Sequence, residues 1–446
     1  MKNKTLDLPE YVELAIGRLE ANGHEVFAVG GCVRDMLMGK VPNDYDLTTS
    51  ALPEQIKEAF ADKRVIETGI KHGTVTVLIG GIPLEITTYR CDGEYDDNRH
   101  PKKVTFTKNI RDDLARRDFT VNAMAYNKKE GLVDPFGGEE DISRAVIRCV
   151  GDPDTRFSED GLRIMRAVRF CSVLGFSMDE KTEISVNKNR ELLKNISAER
   201  IRDEFFKLVC GKNAVDTIRK FCGVIAVFIP EILPCVGFSQ NCKYHSRDVF
   251  EHTLAVIDGC SSEDRILRLA AFFHDIGKPL SYSEDERGGH FYGHEAKSAE
   301  IAERVMLRLR SDNDSARKVR RLVSEHMKPL EISEKKVRRF VSEYNEEDGE
   351  RAISLAIADR RACAEEFSDA SVIEEFRIAV AELRKKEGSF SLRTLAVRGD
   401  DIIRLGFKGK KVGACLEHLL SCVLDGELEN EKGALLAEAA RFCAYN

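Results

Sequence analysis

A pair of acids limits most tightly how this chain can fold. Asp44 and Asp46 stand two residues apart, so on a strand both carboxylates leave the same face, where they repel each other until a cation lies between them. A hard dication such as magnesium, which takes oxygen ligands, suits that arrangement. Shortly upstream the apolar run Val26 to Val29 ends at Gly30-Gly31, and backbone without side chains lets a phosphate approach amide N–H groups. Taken singly, the glycines read as a turn and the acids as a solvated loop. Their company with Arg34-Asp35 in one short stretch points instead to a triphosphate and its metal.

The surroundings read as a small sheet with helices. Residues 8–23 carry apolar side chains at helical spacing and end at Gly23, and Pro53 to Phe60 reads as a second helix. From Gly73 to Tyr89 two β-branched runs flank Gly80-Gly81, which predicts a hairpin. Glu85 lies on its returning strand between Leu84 and Ile86 and points away from both. It is either an ordinary solvent-facing acid or a third carboxylate for metal-assisted phosphoryl transfer. Arg90 to Pro101 is polar, aperiodic and marked by Gly and Pro, which predicts a loop. Arg117 and Asp118 then precede an apolar turn bearing Asn122, and the planar fork of an arginine suits a triphosphate.

Further on, Asp160, Arg163, Arg166 and Arg169 step by three along a predicted helix and form one slowly drifting polar face. Such a face holds solvated ion pairs, or it hydrogen-bonds a nucleotide base, with Asp accepting from an amino group and Arg donating to a carbonyl or ring nitrogen. Beyond a boundary near Pro234 and Gly237, the chain carries His252, then His274-Asp275 followed by Gly277-Lys278, then His294, His326 and Asp359. One histidine on an apolar helix reads as core; this many imidazoles and carboxylates can converge on a divalent metal.

Composition sets outer bounds. A chain of 446 residues exceeds what one core serves, so two to four domains are expected. Its net charge of −7 does not advertise a nucleic-acid protein, although basic clusters at residues 317–321 and 335–339 could track a phosphate backbone. Thirteen cysteines without a Cys-x-x-Cys pair argue against a disulfide framework and a thiolate zinc site. No apolar stretch of signal-peptide or spanning length is found, which gives a cytoplasmic expectation.

The stretches Val-Gly-Gly-Cys-Val-Arg-Asp, Asn-Asp-Tyr-Asp, Ala-Arg-Arg-Asp-Phe-Thr-Val-Asn and Glu-Asp-Gly-Leu-Arg resemble the bacterial tRNA nucleotidyltransferases and poly(A) polymerases of the DNA polymerase β superfamily. The resemblance implies an α+β fold: a nucleotidyltransferase head with a small mixed sheet over residues 1–145, a helical neck over 146–235, a helical body over 236–370 and a helical tail over 371–446. It implies catalysis by Asp44, Asp46 and Glu85 with Mg2+, and nucleotide binding by Gly30, Gly31, Arg34, Asp35, Arg117, Asp118, Asn122, Asp160, Arg163, Arg166 and Arg169. Within that set Asp160 and Arg163 would read CTP or ATP in place of a template, and tRNA would be the partner. The loop at 90–101 resembles one that accompanies complete CCA addition.

His252, His274, Asp275 and Asp359 fall in the order of the HD phosphohydrolases, which implies a divalent transition metal there, with His294 and His326 as auxiliary ligands. The tail departs from the family pattern at Gly409-Lys410, where Gly-Pro is usual. Addition of A alone or CC alone, poly(A) synthesis, and an RNA-end phosphohydrolase centred on the HD site remain alternative readings.

Overall fold

The computed structural model describes residues 5–67, 69–92, 104–286 and 288–445, and divides into two compact units, Met1–Pro230 and Glu231–Asn446. In the first, the helix Glu10–Ala21 leads into β1 (Val26–Val29), followed by β2 (Asp46–Thr49), β3 (Arg64–Ile66), β4 (Thr74–Ile79), β5 (Ile82–Thr88), β6 (Arg90–Asp92), β7 (Val104–Phe106), β8 (Ala125–Asn127) and β9 (Gly131–Val133). Seven of these form one mixed sheet in the order β3-β4-β5-β2-β1-β8-β9, with β6 and β7 paired separately. The predicted hairpin is β4–β5, and burial alternates along β4 as a half-covered strand requires. Gly80 and Gly81 turn it with φ of 60° and 85°, the left-handed conformation that a two-residue hairpin loop demands.

Two expectations are corrected. Arg90–Asp92 is a strand paired with β7 rather than part of a loop; residues 93–101 of that predicted loop lie outside the described residues. Asp44 precedes the strand, which begins at Asp46, so only Asp46 is held by ladder hydrogen bonds.

Behind the sheet, Leu162–Leu174 packs against Ala198–Val209, and Phe119 meets Phe170 edge-on with ring centroids 5.7 Å apart. The helix Leu162–Leu174 is buried on most of its circumference. Arg163 is buried to 9% exposure, which removes the solvated-face reading for that residue, while Arg166 and Arg169 are half-buried. Asp160 stands before this helix, at the end of Pro153–Glu159 in extended conformation. It therefore belongs to the bend between two helices, not to the polar face that the step of three predicted.

In the second unit, Val249–Gly259, Arg265–Phe273, His294–Arg308, Asn313–Glu325 and Glu346–Ala362 pack together. Asp248, Asp264 and Asp312 cap three of them by accepting backbone N–H groups. One apolar cluster runs from Val337 through Phe376 and Val397 to Leu419, Leu435 and Ala439, so the C-terminal helices share a core with those before them. The basic residues at 317–321 and 335–339 largely face carboxylates of the same unit, as in Arg320–Glu303, Arg321–Glu325 and Arg339–Asp425.

Gly211 lets the chain pass Ser172 on the Leu162–Leu174 helix: a Cβ there would stand 2.0 Å from the Ser172 Oγ and 2.6 Å from its carbonyl carbon. Since backbone cannot yield as a flexible side chain does, Gly211→Ala is expected to destabilise the first unit by about 1–3 kcal/mol, read as a lower urea midpoint.

Candidate functional site

The parallel pairing of β2 with β5 sets Asp46 opposite Glu85. Side chains opposite each other in a sheet share a face, so two carboxylates stand side by side, with Asp44 close enough to repel them. The Asp46 carboxylate opens to solvent on one side and is crowded by protein on the others. That crowding, then repulsion from Glu85 and Asp44, pushes its pKa up to about 6 against the pull of Arg117. Three acids brought together in this way fit a divalent cation better than they fit one another.

Gly30, with φ of 82°, turns the chain at the end of β1 and donates its N–H to the Met124 carbonyl. A Cβ on Gly30 would lie 2.9 Å from Nη1 of Arg117, and one on Gly31 would lie 3.7 Å from Nη2 of Arg34. The glycines therefore hold open the space into which two guanidinium groups project. Arg117 touches Asp113 only at 3.5 Å, and its buried Nε has no hydrogen-bond partner among the described residues. Arg34 is more committed, to Asp35 and to Oδ1 of Asn122 at 2.7 Å.

A polar chain continues from there into the helices. Asn122 donates to Asp118 at 3.4 Å, Arg166 grips the other Asp118 oxygen at 2.7 Å, and Arg169 pairs with Glu204 at 2.8 Å. Burial alone would raise the Asp118 carboxyl, but Arg166 and Arg163 hold it below the usual range. Arg163 pairs with Glu159 at 2.5 Å and donates to the Arg116 carbonyl at 2.9 Å. Arg200 donates to both oxygens of Asp160, at 2.7 and 3.3 Å. Arg34, Asp35, Asn122, Asp118, Arg166, Glu204 and Arg169 thus form one connected polar chain, with the Asp160–Arg200 pair beside it.

The geometry adds Asp113, Glu159, Arg200 and Glu204 to that set. Asp113 is fully buried and accepts from Thr48 of β2 and from the Arg90 amide while it pairs with Arg116 and Arg117. Its arginine partners lie only three and four residues on, but Thr48 and Arg90, which complete it, are distant in the chain, so the local sequence does not set it apart from Asp112.

In the second unit six groups converge. Asp359 lies 2.9 Å from Nε2 of His252, and Asp275 lies 3.5 Å from His252, 3.2 Å from His274, 3.3 Å from His294 and 3.8 Å from His326. His274, His294 and His326 each direct Nδ1 at a backbone carbonyl three residues earlier, at 2.6–2.8 Å. An Nδ1–H donated there leaves Nε2 with its lone pair facing the centre, which is how metal-bound imidazoles are oriented. Gly277 permits the approach of His294–Arg308, since a Cβ would meet the Ser298 amide at 2.6 Å.

Asp275 is buried, pairs with Lys278 at 2.7 Å, and accepts no hydrogen bond of good geometry at either oxygen among the described residues. Buried carboxylate oxygens left so are costly unless a cation completes them. Burial would raise this carboxyl, but His274 and Lys278 hold it well below the ordinary range. The cluster opens on a cavity of about 1230 Å³ that Lys243, Lys278, Lys328, Arg360 and Tyr292 help to line.

For the metal-free chain, the raised pKa of Asp46 has a defined sign. The folded state holds its proton more tightly than the unfolded chain, so this group's stabilising contribution is full below pH 3.8 and is lost as pH rises through about 6. Asp46→Asn is expected to flatten that part of the stability–pH curve, measured by urea unfolding in chelator; an unchanged slope would place the titration elsewhere.

Comparison with known proteins finds matches over both regions. Residues 26–148 match the poly A polymerase head domain, 175–235 the probable RNA and SrmB-binding site of polymerase A, and 243–363 the HD domain. A CCA-adding enzyme of Lactobacillus delbrueckii subsp. bulgaricus is 52% identical over 204 residues, 46% of this chain and 51% of that protein; the chain thus spans about half the length of this relative. The CCA-adding enzyme of Geobacillus kaustophilus is 33% identical over 432 residues, 95% of this chain and 94% of that one. A crystal structure of the Bacillus stearothermophilus CCA-adding enzyme in complex with CTP is 28% identical, with a TM-score of 0.75 over 98% of this chain and 99% of that chain. With the carboxylates, arginines and glycine turn in place and a relative matched across nearly its whole length, this chain belongs to the family of CCA-adding enzymes.

Proposed function

We propose that this chain adds C, C and A to the 3′ end of tRNA, without a template, from CTP and ATP and with release of pyrophosphate. The observation that carries the reading is the register that sets Asp46 beside Glu85, under a glycine turn into which Arg117 projects. Asp44 and Asp46 would hold Mg2+, with Glu85 completing the carboxylate set. Bound there, Mg2+ offsets triphosphate charge and makes the RNA 3′-hydroxyl a better nucleophile. Gly30 and Gly31 keep side chains out of the phosphate space, while the unfilled donors of Arg117, with Arg34 held in place by Asp35 and Asn122, steady the triphosphate.

Asp118 with Arg166 ties the turn beside the sheet to the helix Leu162–Leu174, and Arg169 ties that helix to Ala198–Val209, which fixes Arg163, and Asp160 at the bend before it, to meet the base edge. Asp160 accepts from the amino group of cytosine or adenine and Arg163 donates to the ring. Many tRNAs must be served, so shape and backbone of the acceptor arm are read rather than sequence. Residues 1–145 would act as head and 146–235 as neck, with body 236–370 and tail 371–446, in the cytoplasm where the substrates occur. The match to a CTP complex over nearly the whole chain favours complete addition over a poly(A) polymerase.

A second reading applies to the other unit. His252, His274, Asp275 and Asp359, with His294 and His326 beside them, would hold a divalent transition metal. The unsatisfied Asp275 oxygens favour it. Lysines lining the adjoining cavity suit a phosphate group, so the site would hydrolyse phosphorylated or damaged RNA ends.

Transcripts ending before CCA, after CC, and with CCA complete, offered CTP, ATP or both, are expected to gain only the missing nucleotides and then stop; growth past CCA would indicate a polymerase. Asp46→Ala should lower incorporation about a thousandfold, since a lost metal ligand removes several kcal/mol of transition-state stabilisation. Asp275→Asn should leave that activity intact while abolishing release of phosphate from 3′-phosphorylated RNA with Mn2+, Co2+ or Ni2+ present. If both variants spare incorporation, the metal assignment in the head is wrong.

A further inference from the structure

Away from both sites, His418 and Cys422 lie one turn apart on Lys410–Leu424, and Glu438 reaches them from the last helix, Lys432–Tyr445. The same imidazole nitrogen, Nε2, lies 3.0 Å from a Glu438 oxygen and 3.6 Å from the Cys422 sulfur. The three ligand atoms all fall within 4.8 Å of one another. Phe442 stacks on His418 at 4.5 Å and 17°, which fixes the plane of the imidazole. Cys422 is buried, whereas His418 and Glu438 are partly open, so one side of the cluster is reachable from solvent.

We propose that His418, Cys422 and Glu438 form a transition-metal site, of the kind that zinc occupies, joining the last two helices of the chain. The distances are the reason. Tetrahedral zinc, with Zn–N of about 2.0 Å and Zn–S of about 2.3 Å, keeps nitrogen and sulfur roughly 3.5 Å apart and nitrogen and oxygen roughly 3.3 Å apart. The nitrogen–sulfur spacing here is 3.6 Å and the nitrogen–oxygen spacing 3.0 Å, each within a few tenths of an ångström of those values, and the oxygen lies within 4.8 Å of the sulfur, so side-chain movement closes the triangle around the ion. One imidazole, one thiolate and one carboxylate make a mixed donor set suited to zinc, and the fourth position is left to water. Cysteine-pair spacing could not reveal such a site, because its donors sit on two helices and include a single thiol.

The chain also carries two candidate sites built from carboxylates and imidazoles, so the readout must be specific to sulfur. Chelator-stripped, reduced protein titrated with Co2+ is expected to develop a thiolate-to-cobalt charge-transfer band that saturates at one equivalent and is displaced by Zn2+. Asp275→Asn should keep the band, while Cys422→Ser and His418→Gln should each abolish it, with circular dichroism confirming that they fold. His418→Gln alters a partly exposed residue, so a folded variant remains even if Cys422→Ser is damaged. No band, a band that survives Cys422→Ser, or one that depends on Cys422 but survives His418→Gln would overturn the proposal.

Discussion

One parallel pairing governs the first unit. Every strand contact in its main sheet is antiparallel except β2 with β5, and that pair aligns Asp46 with Glu85. A parallel neighbour needs a crossover, which the helix Pro53–Ala59 and the strands β3 and β4 supply. A slip of one residue would turn one of the two carboxylates to the opposite face. Leu47 on β2 and Leu84 and Ile86 on β5, all fully buried, oppose such a slip, so the apolar core fixes the spacing of the acids.

Buried charge is handled differently in the two units. In the first, each deeply buried carboxylate has an arginine: Asp113 with Arg116 and Arg117, Asp118 with Arg166, Glu204 with Arg169. Removing one member of such a pair leaves a bare charge and costs about 3–5 kcal/mol, although the intact pair adds little net stability. These pairs therefore serve position more than stability, and they run unbroken from the sheet to the helix that carries Arg163. In the second unit three imidazoles are fixed from behind by backbone carbonyls, while Asp275 faces inward without adequate partners. That asymmetry between fixed donors and an unsatisfied centre is what a bound cation requires and an apolar core does not.

Legibility from sequence followed the range of the interaction. The β4–β5 hairpin could be read because alternation and a Gly-Gly turn are local. The paired acids, the Arg-Arg-Asp stretch and the His-Asp pair could be read for the same reason. For Asp160 a step of three is compatible with a helix without requiring one; its backbone is extended, and helical conformation resumes at Gly161. Arg90–Asp92 was placed in a loop because a strand three residues long, paired to a distant segment, carries no period to detect.

By itself the sequence determined the kinds of chemistry available: carboxylates two apart, glycines where phosphate needs backbone, imidazoles and acids in metal-binding order. Those are properties of residue type and short spacing, and folding does not change them. Tertiary structure decided which groups meet. It set Glu85 against Asp46, gave Asp113 to Thr48, brought His294 and His326 within reach of Asp275, and joined His418 to Glu438 across two helices. Each of these contacts joins residues far apart in the chain, and packing of the apolar faces, rather than any local preference, chooses such partners.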